Sequence, residues 1–175
     1  MAHAHNYKTL PSFSQLLQNY PHEGGPEVPK ALIGGDVNAA WITDTCAIRM
    51  SRALNYSGFP IPARGHSKMY VVAGGDKMWY AIRVAELKAW LQTLLGPPNV
   101  VPPRGQKIDI AAYKGRKGIL ALKIHYAARP GEATAAAGHI DLWDGNQFAG
   151  EYSQQGEEET DFDVAQDAVL WFAPE

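Results

Sequence analysis

The spacing of apolar residues changes character along the chain, and this change constrains the fold more than any other feature. Up to Leu95 the apolar residues recur with helical period. After Gly118 they come as short runs and alternations. The first helix follows Pro11, with Ser12 as its cap and Phe13, Leu16, Leu17 and Tyr20 at helical spacing. The second starts near Asp44 or Thr45 and runs from Cys46 through Leu54, with Ala47, Met50 and Leu54 on one stripe and Gly58 as the stop. The third spans roughly Ala81 to Leu95 and ends at Gly96-Pro97-Pro98. Between the first two, residues 21–36 are rich in Gly and Pro and read as an irregular loop, and Met69 to Val72 reads as a short strand. Gly118 to His125 is an apolar run suited to a buried strand, and His139 to Trp143 alternates. Asp144-Gly145 signals a hairpin whose return strand is Gln147 to Tyr152, and Ala168 to Phe172 is a last strand. Helices first and an antiparallel sheet after them spell an α+β fold.

The chain is 175 residues long, with 46% apolar and 19% charged residues, which excludes a disordered chain and fits one domain over residues 1–175. Within it, residues 1–35 form an N-terminal helix and irregular loop. No apolar run is long enough to span a bilayer, and the first residues lack the layout of a secretory signal, so no membrane insertion is expected. A net charge of −2 argues against nucleic-acid binding by bulk charge. The charge is uneven: residues 1–130 hold all 16 Lys and Arg with 7 acids, and residues 131–175 hold the other 11 acids. The expected outcome is that the acidic end lies against the basic body or is solvated, with Glu157-Glu158-Glu159 as an exposed loop.

One cysteine rules out an internal disulfide and a thiolate-only metal site, and no metal is expected. Cys46 falls at the start of a helix, where unpaired N–H groups and the helix dipole favour a thiolate. A nucleophilic thiolate needs a base to take and return a proton. His139, on a strand and after a glycine that permits close approach, is the best candidate. His125 competes, but its neighbours suit a strand end. His66 lies in a Gly/Pro-rich loop, and His3, His5 and His22 lie in terminal or loop segments. Read from composition and spacing alone, an inert buried cysteine in a binding domain stays open beside the enzyme. So does a cysteine hydrolase with another substrate.

The stretch from Thr45 to Asn55 (TCAIRMSRALN), continuing into Gly58-Phe59-Pro60-Ile61, resembles the nucleophile helix of the family 4 type VI secretion amidase effectors. Gly138 to Gly145 (GHIDLWDG) resembles that family's catalytic histidine strand, and Lys117-Gly118-Ile119-Leu120 the strand before it. The likeness covers roughly residues 36–172. It implies a small papain-like fold similar to NlpC/P60 cysteine peptidases, without cofactor or metal. It also implies hydrolysis of the amide between D-glutamate and meso-diaminopimelate in peptidoglycan stem peptides. The protein would be exported by the type VI apparatus to the periplasm of a rival bacterium, and the producer protected by a cognate immunity protein. By motif, Cys46 is the nucleophile and His139 the general base and acid. The family pattern puts an Asp eleven residues past the histidine; here that position is Gly150, a departure that leaves the third member open. A three-residue hairpin loop that pairs Trp143 with Gln147 sets Glu151 opposite His139, so Glu151 is the expected orienter, with Asp141 and Asp144 as alternatives.

For the oxyanion, the Cys46 N–H is the expected donor, and no second one stands out. Asp44 is the expected cap of the helix. Arg49 could meet a substrate carboxylate, but an ion pair with the acidic C-terminal segment is the favoured expectation. Trp41, Trp79 and Trp143 could wall a cleft, although core positions are more common for such residues.

Overall fold

The computed structural model describes residues 6–124, 138–150 and 157–175. Ten elements of regular structure matter for the argument. α1 (Phe13–Gln18) is capped as expected, with Ser12 Oγ accepting from the Gln15 N–H at 3.2 Å. α2 (Glu27–Ile33) lies where a loop was expected. Pro26 sits at its cap and Pro29 in its first turn, where no N–H is needed for the helical ladder, so the prolines start a helix here instead of preventing one. α3 (Cys46–Tyr56) follows, and then a small hairpin of β1 (Val71–Ala73) and β2 (Trp79–Ala81). α4 (Val84–Leu95) is shorter at its start than the periodicity suggested because Ala81 belongs to β2. β3 (Gly118–Lys123), β4 (His139–Trp143) and β5 (Asp167–Phe172) form an antiparallel sheet in the order β4-β3-β5, with α5 (Glu157–Val164) before β5.

Both faces of this sheet are covered. Ile119, Ala121, Ile140, Leu142, Val169 and Trp171 join α1, α3 and α4 in the larger core. Leu120, Leu122, Trp143 and Leu170 pack on the other side with Ile108, Tyr113, Phe148 and Phe162. The period of two along each strand separates the two cores. β3 approaches β5 so closely that a Cβ at Gly118 would meet the Trp171 carbonyl oxygen at 1.8 Å, and only glycine fits there.

α3 is the hub. It buries Ala47, Ile48, Met50, Ala53 and Leu54, and also Arg49, Ser51 and Asn55. The polar members tie it to neighbouring backbone. Ser51 Oγ donates to the Ala47 carbonyl at 2.7 Å and accepts the Ala81 N–H at 3.0 Å. Asn55 donates to the Trp79 carbonyl at 2.8 Å and accepts the Ile61 N–H at 2.7 Å. These contacts fix the helix against β2 and the Pro-rich segment behind it.

The return strand expected after β4 is not formed among the described residues. Instead Trp143 makes a single bridge with Phe148. Asp144 Oδ1 accepts from the Asn146 and Gln147 N–H groups at 2.8 and 2.9 Å, which keeps four residues in the turn instead of three. The register is therefore one residue off from the Trp143–Gln147 pairing that pointed to Glu151. Glu151 itself lies outside the described residues, as does His125. The acidic run expected as a loop begins α5. The acidic end does lie against the basic body: Lys107 pairs with Asp163 at 2.7 Å, Lys117 with Glu175 at 3.1 Å, and Lys88 with Asp167.

Because Asn55 satisfies two buried main-chain groups, Asn55→Leu should lower stability by about 1–3 kcal/mol through the unsatisfied Ile61 N–H and Trp79 carbonyl. A shift of the urea midpoint with unchanged slope checks this.

Candidate active site

Cys46 is the first residue of α3 and His139 the first of β4. α3 packs against β4, with Ala47 and Met50 meeting Ile140 and Leu142 in one core. Gly138 brings the histidine in: a Cβ there would stand 2.9 Å from the Leu122 carbonyl oxygen and 3.1 Å from Val84 Cγ1. The two functional groups, 93 residues apart in sequence, meet with Cys46 Sγ 3.1 Å from His139 Nδ1. That is within hydrogen-bond reach for sulfur and suits proton exchange between thiol and imidazole. The imidazole is also held edge-on against Phe148, with centroids 4.8 Å apart and planes at 88°.

The other ring nitrogen, Nε2, is buried and has no hydrogen-bond partner among the described residues. Its carboxylate neighbour is Asp141, two residues along β4 on the same strand face, with Oδ2 at 3.5 Å. Asp141 is buried and accepts the Leu142 N–H at 2.7 Å through Oδ1. Gly150 leaves room for it, since a Cβ at that position would lie 2.7 Å from Asp141 Oδ2. Asp144, the other alternative, is engaged in the turn.

Burial disfavours a charged imidazole, but the Cys46 sulfur on one nitrogen and Asp141 on the other outweigh it and hold His139 well above its ordinary value. Burial pushes the Cys46 thiol up. His139 pulls it down without cancelling that, and Asp44 adds to the rise. The gain expected from a helix N-terminus is therefore outweighed, and His139 is the group that favours the thiolate.

Asp44 has a second effect. Thr45 occupies the formal cap position without a side-chain bond, and Asp44 Oδ1 accepts the Cys46 N–H at 2.9 Å. The N–H expected to receive an oxyanion is thus held by a carboxylate. Arg49 departs from both expectations: its buried guanidinium donates to the carbonyls of Pro21, Glu23, Gly24 and Gly25. Trp143 is fully buried and donates Nε1–H to the Tyr113 carbonyl, Trp79 is half-buried against the core, and Trp41 is exposed.

Sequence reasoning missed Tyr20. Its spacing marks it as a helix-face residue, yet its phenol is buried near the charges of Asp141 and Cys46. Burial and then the Asp141 carboxylate raise this phenol well above its ordinary value, so it stays a proton donor. Only its place at the end of an apolar helix stripe was visible in the sequence.

The charge on Asp44 opposes thiolate formation, so Asp44→Asn, which keeps an oxygen for the Cys46 N–H, should lower the pH at which Cys46 ionises. The pH dependence of alkylation of this single thiol should move to lower pH in the variant.

Three comparisons bear on this site. The family model for "Type VI secretion system (T6SS), amidase effector protein 4" matches residues 42–171. No curated protein matches by sequence. The solved effector Tae4 from Salmonella typhimurium, in complex with the immunity protein Tai4 from Enterobacter cloacae, is 27% identical, with a TM-score of 0.76 over 94% of this chain and 99% of that one. The type VI effector Tae4 from Enterobacter cloacae is 27% identical, with a TM-score of 0.74 over 95% and 99% of the two chains. The family model spans most of the chain and both sequence motifs, so this chain belongs to the type VI secretion amidase effector family 4 and is an amidase.

Proposed function

We propose that the chain is a cysteine amidase that opens the amide between D-glutamate and meso-diaminopimelate in peptidoglycan stem peptides. It would act in the periplasm of a target bacterium after export by a type VI apparatus. The observation that carries this reading is the 3.1 Å approach of Cys46 Sγ to His139 Nδ1 in a chain of an amidase effector family.

In the proposed reaction His139 takes the Cys46 proton and the sulfur attacks the amide carbonyl carbon, which forms a C–S bond and an oxyanion. For the Cys46 N–H to receive this oxyanion, the carbonyl oxygen must take the place of Asp44 Oδ1. His139 then protonates the leaving nitrogen as the C–N bond breaks, which leaves a thioester. Water gives a proton to His139 and attacks the thioester, the C–S bond breaks, and the free carboxylate leaves. Asp141 is the proposed orienting carboxylate, since it faces Nε2 of the imidazole that must shuttle the proton. The role expected for Glu151 is untouched by this, because that residue lies outside the described part of the chain.

The immunity partner follows from the same reading. The Salmonella typhimurium effector is solved in complex with an immunity protein, Tai4 from Enterobacter cloacae, and a cognate immunity protein is the proposed partner of this chain.

Purified sacculi digested with the folded protein should release fragments that mass spectrometry shows to be cut after D-glutamate. Cys46→Ala should release none, and Asp141→Asn should be slower by roughly 10²-fold or more, as for loss of an orienting carboxylate. Release by the Cys46→Ala protein at the wild-type rate would falsify the mechanism, and cleavage of a different bond would overturn the substrate assignment.

A further inference from the structure

His139, Asp141 and Trp143 share one face of β4, because side chains alternate along a strand. Phe148, just past the turn that follows β4, touches both ends of this row. Its ring centroid stands 4.8 Å from that of the imidazole with the planes at 88°, and 5.3 Å from that of Trp143 with the planes at 72°. The ring therefore spans the stretch of β4 that carries Asp141. Phe148 is itself fixed. It is 4% exposed and bridges Trp143, and the next residue, Ala149, donates its N–H to the Leu142 carbonyl at 2.8 Å. Trp143 is anchored in turn by its Nε1–H on the Tyr113 carbonyl at 2.8 Å, and its ring meets Phe162 of α5 with centroids 5.9 Å apart.

The imidazole needs such a neighbour. Rotation of a histidine ring about its last side-chain bond has only broad, roughly two-fold preferences, so outside contacts must set it. The polar contacts among the described residues are Cys46 Sγ, 3.1 Å from Nδ1, and Asp141 Oδ2, 3.5 Å from Nε2. The first is the reacting contact, and it is given up once the sulfur bonds to a carbonyl carbon. The second is beyond the distance of a good hydrogen bond, and Nε2 has no hydrogen-bond partner among the described residues. A T-shaped contact between rings has a preferred geometry of its own and persists through the reaction. We propose that Phe148 is a positioning residue of the hydrolysis: its ring, locked between His139 and Trp143, sets the rotation of the imidazole, with Nδ1 toward the Cys46 sulfur and Nε2 toward the Asp141 carboxylate. This rests on the reading of Cys46 and His139 as the reacting pair. Burial works against a charged imidazole, and the sulfur and the carboxylate outweigh it only while the ring faces both.

Phe148→Leu keeps an apolar side chain and removes the ring. Phe162→Leu is the matched control: it removes the ring on the other side of Trp143 and leaves the contact with His139 in place. The first readout is the rate of Cys46 alkylation by iodoacetamide against pH, which requires no substrate. The second is kcat and KM on purified muropeptides. With the imidazole free to turn, its pull on the thiol weakens, so the alkylation profile of Phe148→Leu should move to higher pH. The rate at neutral pH should fall about tenfold, the equivalent of one unit in the ionisation of the pair. kcat should fall by a similar factor with KM within about twofold, and the alkylation effect should vanish in a His139→Gln background. Phe162→Leu should keep alkylation within about twofold of wild type, whatever stability it loses. Phe148→Met, a more adaptable filler, should repeat the shift and serves if the leucine variant does not fold. Wild-type alkylation by the Phe148 variants would overturn the proposal. An equal loss in Phe162→Leu would do the same, as would a full tenfold loss that persists without His139. If the wild-type protein leaves muropeptides intact while Phe148→Leu still slows alkylation, the positioning role stands and the substrate reading falls.

Discussion

The contact between the Cys46 sulfur and the His139 imidazole is the constraint that the rest of the molecule serves. Neither group can perform the chemistry alone. The thiol is pushed up by its partly enclosed setting, and the imidazole supplies the opposing pull. The imidazole in turn binds a proton more strongly than a free one, because a sulfur stands on one nitrogen and a carboxylate on the other. A 3.1 Å separation across 93 residues of chain survives only if helix and strand are each fixed to a common body. Apolar packing of α3 on β4 supplies most of that fixing, and the buried polar side chains of α3 set its position along the sheet.

The buried polar residues of α3 divide by direction. Ser51 and Asn55 face the β1–β2 hairpin and bind main chain there. Arg49 faces the loop after α1. The helix that begins with the nucleophile is thus pinned on two sides, and its first turn carries a third restraint in Asp44. That last restraint acts against reactivity in two ways, by placing negative charge near the sulfur and by holding the N–H that would steady an oxyanion.

The parts of the fold legible in the sequence were those with strong periodicity and a clear stop. α1, α3 and α4 announced themselves through apolar stripes ended by polar or glycine residues, and β3, β4 and β5 through short apolar or alternating runs. The pairing of Cys46 with His139 was legible too, from the helix start, the glycine before the histidine and the family motifs. The failures have separate causes. Pro26 and Pro29 looked like loop residues because their compatibility with a helix's first turn depends on register, which composition does not reveal. The hairpin register slipped by one because the Asp144 side chain, and not the turn dipeptide alone, set the turn length. For Arg49, charge bookkeeping points to an ion pair because it ignores main-chain carbonyls, and the loop that provides them closes only in three dimensions. Tyr20 is not legible because nothing in an apolar stripe distinguishes a core phenol from one buried near the charge of a carboxylate 121 positions later.

The central claim is that His139 makes Cys46 reactive. The most direct measurement is the rate at which the protein's single thiol is alkylated as pH is raised, in the wild-type protein and in His139→Gln. With the imidazole gone, burial and Asp44 remain and both resist ionisation, so the variant's profile should rise only at distinctly higher pH. Two superimposable profiles would contradict the account, because the sulfur would then owe nothing to the ring beside it.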